Sequence, residues 1–450
     1  MSLEIQSEYL KLQEQKESNA RAYPRHFPLV ISKAKGMIVT DTEGRQYYDC
    51  LAGAGTLALG HNPDVVVDAI RKMLDQQIPL HTLDLATPLK LAFMEELFSL
   101  LPESMRDHAK IQFCGPTGAD AVEAAIKLVK TATGGRSILA FHGSYHGSTQ
   151  ATMAMSGNLS KKQHLQSLLP DVHFLPFPYE YRCPFGVGGE MTAKLSAQYI
   201  ENVLDDCESG IVAPCGVIVE TVQGEGGAIP AQLEWLRELR RITAERGIPL
   251  IIDEVQTGFG RTGRMFSFEH AGIVPDVIIC SKAVGGSLPM SVILYKEELD
   301  RWQPGAHTGT FRGNQMAMAT GLATLRYLRE QRVLDNVQQR SQQMMNRLRS
   351  LQAMIPAIGD VRGRGLMIGV EMVEPSGTPD RLGHFPASGR MAEAVQRRCF
   401  ANGMIIEVGG RHSSVLRFLP PLVITEQETE TVLRIFERSL HEALAELTEQ

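Results

Sequence analysis

The chain has 450 residues, and its 45 basic and 51 acidic side chains give a net charge of −6. This length predicts a large domain with a smaller one, and the charge balance gives no reason to expect nucleic acid or an anionic membrane as a partner. The seven cysteines are scattered without metal-ligand spacing, so we expect a reduced, cytoplasmic protein that holds no metal and does not cross a membrane.

Residues 1–64 are predicted to form an N-terminal arm and part of a small domain. The first residues are polar and charged, as in an amphipathic helix, and a proline-marked segment, Tyr23–Pro28, predicts an extended chain. The following segment, Met37–Asp49, predicts a β-hairpin with Glu43 and Gly44 at the turn.

Residues 65–315 are predicted to form the large domain. Apolar runs alternate there with helical patterns, which indicates βαβ units, a mainly parallel sheet and flanking helices. Helical patterns at about 315–331 and 334–353 then lead to apolar runs typical of strands, at 365–372, 404–407 and 415–418. We therefore expect connecting helices and the C-terminal part of a small α+β domain in residues 316–450, built from both chain ends.

A candidate phosphate site lies early in the large domain. Ile111–Cys114 is predicted to be a strand, Gly115–Gly118 a tight turn and Ala119–Val129 a helix. The free amides and the dipole at the start of such a helix bind a dianion. A glycine turn before a helix is also common without any ligand.

Two charged residues follow apolar runs in the middle of the chain. Pro249–Ile252 precedes Asp253, and Asp276–Cys280 precedes Ser281 and Lys282. Runs of this kind are typical of strands covered on both faces of a parallel sheet, and such sheets bind ligands beyond their carboxyl ends. A buried lysine can form a Schiff base with an aldehyde, and a carboxylate can keep a pyridine nitrogen protonated. Either residue alone would also fit an ordinary surface position.

Three motifs occur together in this region: Asp253-Glu-Val-Gln256, Gly258-Phe-Gly-Arg-Thr-Gly263 and Ser281-Lys282. Their combination resembles class III, fold-type I aminotransferases, which depend on pyridoxal 5'-phosphate. The resemblance implies an α/β fold with a large and a small domain. It also implies that Lys282 carries the cofactor, that Asp253 faces its ring nitrogen, and that Gln256 hydrogen-bonds its ring hydroxyl.

The same resemblance assigns further residues to the cofactor. It places the phosphate at Thr117, Gly118 and Ala119, and it makes Tyr145 the aromatic side chain that stacks on the ring. Thr310 matches a threonine that reaches the phosphate of the neighbouring subunit. The active unit is therefore expected to be a homodimer with shared sites.

Two residues resemble the family's substrate-binding pair. In ω-aminotransferases of this family, the glutamate that corresponds to Glu225 pairs with the arginine that corresponds to Arg417 when the substrate has no α-carboxylate nearby. When the substrate is the amino acid glutamate, the pair separates and the arginine is released for that substrate. Arginine suits a carboxylate because its planar fork makes two charge-assisted hydrogen bonds. Glu225 and Arg417 could also form a fixed salt bridge without a catalytic role.

One position departs from the family pattern. Many relatives carry arginine directly after the Tyr/Phe-His-Gly run, where this chain has Ser148. The departure disfavours a plain ornithine or 4-aminobutyrate aminotransferase. Another cation must then hold the second carboxylate of 2-oxoglutarate, and the sequence offers Arg25, Arg264 and Arg312.

The segments Glu17–Arg25 and Phe113–Leu128 resemble most closely the class III members that exchange diaminobutyrate with 2-oxoglutarate. That likeness implies an amine donor, L-2,4-diaminobutyrate, whose 4-amino group passes to an oxo acid acceptor, 2-oxoglutarate. The products would be L-aspartate 4-semialdehyde and L-glutamate, in a reversible ping-pong reaction. The alternatives are another ω-amine aminotransferase, acting on ornithine or 4-aminobutyrate, and a class III aminomutase or decarboxylating transaminase.

Overall fold

The computed structural model describes residues 2–449. The α-helices within this range are α1 (Ser2–Lys16), α2 (Tyr23–His26), α3 (Asp64–Asp75), α4 (Pro88–Ser99), α5 (Glu103–Arg106), α6 (Gly118–Thr133), α7 (Gln150–Ala154), α8 (Leu159–Lys162), α9 (Gly189–Asp205), α10 (Leu233–Glu245), α11 (Gln315–Glu330), α12 (Val333–Met354), α13 (Gly389–Ala401) and α14 (Glu426–Glu449).

The strands in the same range are β1 (Ile31–Lys35), β2 (Ile38–Asp41), β3 (Gln46–Asp49), β4 (Ala109–Phe113), β5 (Ser137–Phe141), β6 (Val172–Leu175), β7 (Pro214–Val219), β8 (Val222–Gln223), β9 (Ile229–Pro230), β10 (Leu250–Asp253), β11 (Val277–Cys280), β12 (Val292–Lys296), β13 (Ile358–Arg364), β14 (Met367–Met372), β15 (Met404–Ile405), β16 (Glu407–Gly409) and β17 (Val415–Phe418).

The centre of the molecule is a seven-stranded sheet with the order β4-β12-β11-β10-β7-β5-β6. β12 is antiparallel to both of its neighbours, and the other described pairs in the sheet are parallel. Six strands therefore point the same way, so their carboxyl ends share one edge. The predicted mainly parallel α/β sheet is confirmed.

Helices cover both faces of this sheet. Alternate residues of each strand point to opposite faces, so neighbouring residues pack against different helices. Ile251 packs in a cluster with the small buried residues of α6, including Ala121 and Ala125. Its neighbour Ile252 packs on the other side, with Trp235 of α10. Small side chains on α6 let that helix lie close to the strands, and the large core residues fill the opposite layer.

Both chain ends contribute to a second, four-stranded sheet with the order β1-β2-β3-β15. β2 and β3 form the predicted hairpin, and Gly44 takes the left-handed conformation at its turn, with φ of 84°. β15 from the C-terminal region pairs in parallel with β3. A third sheet, β13-β14-β17-β16, contains the other C-terminal strands that the sequence predicts. The small α+β unit built from both chain ends is confirmed, whereas the exact boundaries at 64/65 and 315/316 stay a prediction.

One local prediction is wrong. Tyr23–Pro28 was expected to be extended, but Tyr23–His26 forms a single helical turn. Pro24 lies in the first turn, where a helix does not need the missing amide hydrogen and the fixed φ favours helix formation. In the described part of the chain, no helix combines the length and apolar character needed to cross a bilayer.

Candidate active site

A cavity of about 460 Å³ lies at the carboxyl edge of the central sheet. Four of its lining side chains lie at or beyond the carboxyl ends of parallel strands: Tyr145 in the loop after β5, Glu220 after β7, Asp253 at the end of β10 and Lys282 after β11. The parallel strands therefore bring together residues that are up to 137 positions apart in the sequence.

Lys282 begins a short 3-10 helix, Lys282–Gly285, that follows β11. Its φ of 51° lies in the left-handed region, which is costly for a residue with a side chain and is typical of functional sites. Burial lowers the pKa of the Lys282 ammonium, and the negative charges of Glu225 and Asp253 oppose this shift. The lysine therefore becomes a neutral amine more readily than a surface lysine does.

Asp253 is buried and forms an ion pair with His146, which lines the same cavity. His146 Nδ1 donates to Asp253 Oδ2 at 2.7 Å, and the amide of Val255 donates to Asp253 Oδ1 at 3.0 Å. Burial alone would lower the pKa of His146, but the hydrogen bond and charge of Asp253 raise it above its ordinary value. The sequence motifs assign His146 no catalytic role, and its contact with Asp253 had no separate signal.

The predicted phosphate turn has the geometry of a helix cap. Thr117 is the N-cap of α6, and its side-chain oxygen accepts a hydrogen bond from the amide of Asp120 at 3.3 Å. The helix begins at Gly118, where an added Cβ would lie 3.1 Å from both methyl groups of Val255. Glycine is therefore needed for this close packing, and the first amides of α6 face the cavity that Thr117, Gly118 and Ala119 line.

Tyr145 and Gln256 also line this cavity. The Tyr145 amide donates to Glu220 Oε1 at 2.9 Å, and its hydroxyl lies 3.1 Å from Ser148 Oγ. Gln256 Nε2 donates to the carbonyl of Ala54 at 3.1 Å. The other side-chain atom, Gln256 Oε1, is buried and has no hydrogen-bond partner among the described residues, so it can accept one from a ligand.

Glu220 is a buried acid that the sequence motifs did not identify as part of the site. It accepts hydrogen bonds from the amides of Tyr145 and Gly224, both at 2.9 Å, and burial raises its pKa to about 7. These bonds fix the loop that carries Tyr145. Its position directly after the apolar run of β7 was a signal equal to that of Asp253 after β10.

Glu225 and Arg417 are brought together as predicted. Arg417 Nη2 lies 2.9 Å from Glu225 Oε1 and 2.7 Å from Glu407 Oε2. Arg417 is fully buried, and its Nε and Nη1 have no partner among the described residues. The Glu225 side chain is 34% exposed and that of Glu407 only 12%, so Glu225 is the partner with room to move.

The pKa values of the two acids shift in opposite directions. Burial works to raise the pKa of Glu225, but the charge and the hydrogen bond of Arg417, together with the charge of Lys282, lower that pKa overall. The pKa of Glu407 is raised, mainly by burial, and the hydroxyl of Tyr23 donates to Glu407 Oε1 at 3.1 Å. Glu407 was missed, although it ends the apolar run that predicts β15.

The remaining sequence candidates lie outside the cavity that contains Lys282. Arg25 bonds to the backbone of Arg21, Arg264 is exposed, and Arg312 pairs with Asp84 at 2.9 Å. Thr310 is exposed on the 3-10 helix Thr310–Gly313 and does not line the cavity of its own chain either.

Known proteins resemble the chain over nearly its full length. The family model described as "Aminotransferase class-III" matches residues 19–440. A diaminobutyrate--2-oxoglutarate aminotransferase from Rhizobium meliloti is 54% identical over 94% of this chain and 90% of its own. A protein of the same name from Haemophilus influenzae is 51% identical over 97% and 95%. A thermostable omega transaminase engineered for asymmetric synthesis superposes with a TM-score of 0.86 at 26% identity, over 98% and 99% of the two chains.

Proposed function

The chain belongs to the class III aminotransferase family, as its motifs predict, and we propose that it exchanges the 4-amino group of L-2,4-diaminobutyrate with 2-oxoglutarate. The products are L-aspartate 4-semialdehyde and L-glutamate. The observation that supports this proposal most directly is that Lys282 and Asp253 line one cavity. The similar relatives of the chain are named for the same exchange. Pyridoxal 5'-phosphate is the cofactor of this family.

The residues of the cavity fit this cofactor. The open amides at the start of α6 suit its phosphate, with Thr117, Gly118 and Ala119 beside it. Tyr145 offers an aromatic face to the ring, and the unpartnered Gln256 Oε1 offers an acceptor to the ring hydroxyl. When bound, the cofactor takes the amino group from one substrate and returns it to the other.

Lys282 has two tasks in this account. Its Nζ would bind the cofactor's aldehyde carbon covalently until a substrate amine displaces it. Once displaced, the Lys282 amine would be the base that moves the proton from C4 of diaminobutyrate. Its lowered pKa favours the neutral form that both tasks need.

Asp253 would face the ring nitrogen of the bound cofactor with its negative charge. This charge would keep the nitrogen protonated, which is what the ring needs to act as an electron sink. His146 orients the carboxylate through Oδ2, and the amide of Val255 holds Oδ1. It is therefore a positioning residue.

Glu225 and Arg417 allow one site to accept two different substrates. With diaminobutyrate, which has no carboxylate next to the reacting carbon, Glu225 neutralises Arg417. With 2-oxoglutarate, Glu225 moves away and the free Nε and Nη1 of Arg417 bind the α-carboxylate. Glu407 stays in place and partly neutralises the buried guanidinium throughout.

The functional unit in this proposal is a homodimer in the cytoplasm. Thr310 is exposed and does not line the cavity of its own subunit, which agrees with a contact to the phosphate in the partner's site. All seven cysteines are free thiols, as is usual in a reducing compartment.

The direct test mixes the purified holoenzyme with one amine at a time and follows the visible absorption of the cofactor. Diaminobutyrate should discharge the band, and ornithine and 4-aminobutyrate should do so far more slowly. The Lys282→Ala variant is the control and should show no turnover with any amine. If ornithine or 4-aminobutyrate reacts and diaminobutyrate does not, the proposed substrate is wrong.

A further inference from the structure

Arg411 is an arginine without a carboxylate partner. Among the described residues, its guanidinium makes no ion pair within 4.0 Å, and its buried Nη1 has no hydrogen-bond partner. Nearby arginines are paired: Arg362 binds Asp360 and Glu371 at 2.9 and 2.8 Å. A partly buried guanidinium that lacks an acid on the protein is suited to an acid from outside.

The surroundings hold this side chain in a fixed place. The ring of Tyr179 lies between two arginines, with its centroid 4.8 Å from Arg411 Cζ and 5.0 Å from Arg362 Cζ. On another side, a Cβ added to Gly143 would lie 2.8 Å from Arg411 Nη2. Gly143 has a φ of 82°, so its left-handed backbone also favours glycine, and the guanidinium can lie close to it.

Arg411 lines a cavity of about 630 Å³ that adjoins the Lys282 cavity. The two cavities share Tyr145 and Glu225 in their walls. The amide of Gly410 donates to the carbonyl of Glu225 at 3.0 Å, which ties the Arg411 loop to the glutamate loop. A substrate that reacts at Lys282 and extends past Glu225 therefore points its far end toward Arg411.

The chemistry of the two substrates makes one distant cation useful for both. Diaminobutyrate reacts at C4 and has its carboxylate at C1, three carbons away. 2-Oxoglutarate reacts at C2 and has its second carboxylate at C5, also three carbons away. The arginine that many relatives place at position 148 is absent here, and the serine in its place lies 3.1 Å from the hydroxyl of Tyr145.

We propose that Arg411 binds the carboxylate three carbons from the reacting carbon in both substrates. This proposal rests on the proposed function, and it identifies the cation that Arg25, Arg264 and Arg312 do not provide in the Lys282 cavity. Arg417 then binds only the α-carboxylate of 2-oxoglutarate and no carboxylate of diaminobutyrate. Diaminobutyrate needs one arginine, whereas 2-oxoglutarate needs both.

The test compares ligands that have the distant carboxylate with ligands that lack it. 1,3-Diaminopropane has the amine spacing of diaminobutyrate without the carboxylate, and pyruvate is an oxo acid without the second carboxylate. In Arg411→Gln holoenzyme, kcat/KM for diaminobutyrate and 2-oxoglutarate should fall roughly 10- to 100-fold, the range expected for lost hydrogen bonds to a charged group. The values for 1,3-diaminopropane and pyruvate should change by no more than about twofold.

Two controls separate binding from damage to the fold. Arg411→Lys keeps the charge but loses the fork, so its losses should be intermediate, and Arg349→Gln, an exposed arginine on α12, should match the wild type. Calorimetry with glutarate, an unreactive dicarboxylate, should show weaker binding to Arg411→Gln. Equal losses for all four ligands, or unchanged glutarate binding, would overturn the proposal. If the wild type does not react with diaminobutyrate, the proposed function fails, while glutarate and 2-oxoglutarate still test Arg411.

Discussion

His146 Nδ1 lies 2.7 Å from Asp253 Oδ2, and both side chains are buried at the carboxyl edge of the central sheet. The pair holds a negative charge next to the cavity and fixes its direction, since the carboxylate is also bound by the amide of Val255. A buried carboxylate without such partners would be expensive to keep ionised. The histidine therefore supports the charge that the ring nitrogen requires.

Replacing His146 with alanine should lower kcat about 10- to 100-fold, because a hydrogen bond to a charged group contributes about 1.5 to 3 kcal/mol. The KM for either substrate should change little, since His146 binds Asp253 and no substrate. Steady-state kinetics measures both quantities. His146→Asn, whose amide can still donate to Asp253, should recover much of kcat. Equal activity losses in the alanine and asparagine variants would contradict this role.

The sequence predicted the parts of the site that depend on local patterns. Asp253 and Lys282 could be placed because each follows a short apolar run, and runs of this kind form buried parallel strands. Gly118 could be placed because a turn precedes a clear helical pattern. These signals are local, and the strand order does not alter them.

The partners of these residues could not be predicted in the same way. The contact of His146 with Asp253 joins two loops 107 positions apart, and that of Tyr23 with Glu407 joins both chain ends. Arg411 lies in a polar, glycine-containing loop without periodicity. Such contacts depend on the order of strands in the sheets. The local patterns of a single sequence do not specify that order.

Glu254 should make the stability of the protein fall as the pH rises. Burial raises its pKa from 4.5 to about 7, so between these values the folded state holds a proton that the unfolded state has lost. The free energy of unfolding therefore decreases with pH across this window, by about 3 kcal/mol in total.

Thermal unfolding of Glu254→Gln and the wild type between pH 4.5 and 8 tests this effect. The Tm of Glu254→Gln minus the Tm of the wild type should increase as the pH rises toward 7 and should then stay constant. The exposed Glu208→Gln variant is the matched control and should show a constant difference. A Tm difference for Glu254→Gln that does not change with pH would show that Glu254 is ionised normally in the folded protein.

Removing Glu225 should affect the two substrates in opposite ways. In Glu225→Ala, Arg417 loses its mobile partner, so kcat/KM for diaminobutyrate should fall by about 10-fold or more. The value for 2-oxoglutarate should stay level or rise, because no carboxylate must be displaced from Arg417. Separate half-reactions measure the two values. Equal losses for both substrates would show that Glu225 and Arg417 form a fixed structural pair.

Mixed dimers test whether Thr310 acts in the neighbouring subunit. Thr310→Ala should weaken cofactor binding about 10-fold or more, because it removes a hydrogen bond to a charged phosphate, and Lys282→Ala should be inactive. When the two variants are unfolded and refolded together, a mixed dimer contains one site with both Lys282 and Thr310 intact, if Thr310 acts across the interface. That site should restore tight cofactor binding and activity at low cofactor concentration. No restoration in confirmed mixed dimers would place Thr310 in its own subunit or outside the site.

The most direct measurement of the central claim follows the nitrogen itself. The holoenzyme is given 2-oxoglutarate with L-2,4-diaminobutyrate that carries ¹⁵N at either the 4-amino or the 2-amino group, and the glutamate formed is examined by mass spectrometry. The account predicts that label from the 4-position appears in glutamate, that label from the 2-position does not, and that Lys282→Ala transfers neither. Label from the 2-position in glutamate, or transfer by the Lys282→Ala variant, would contradict it.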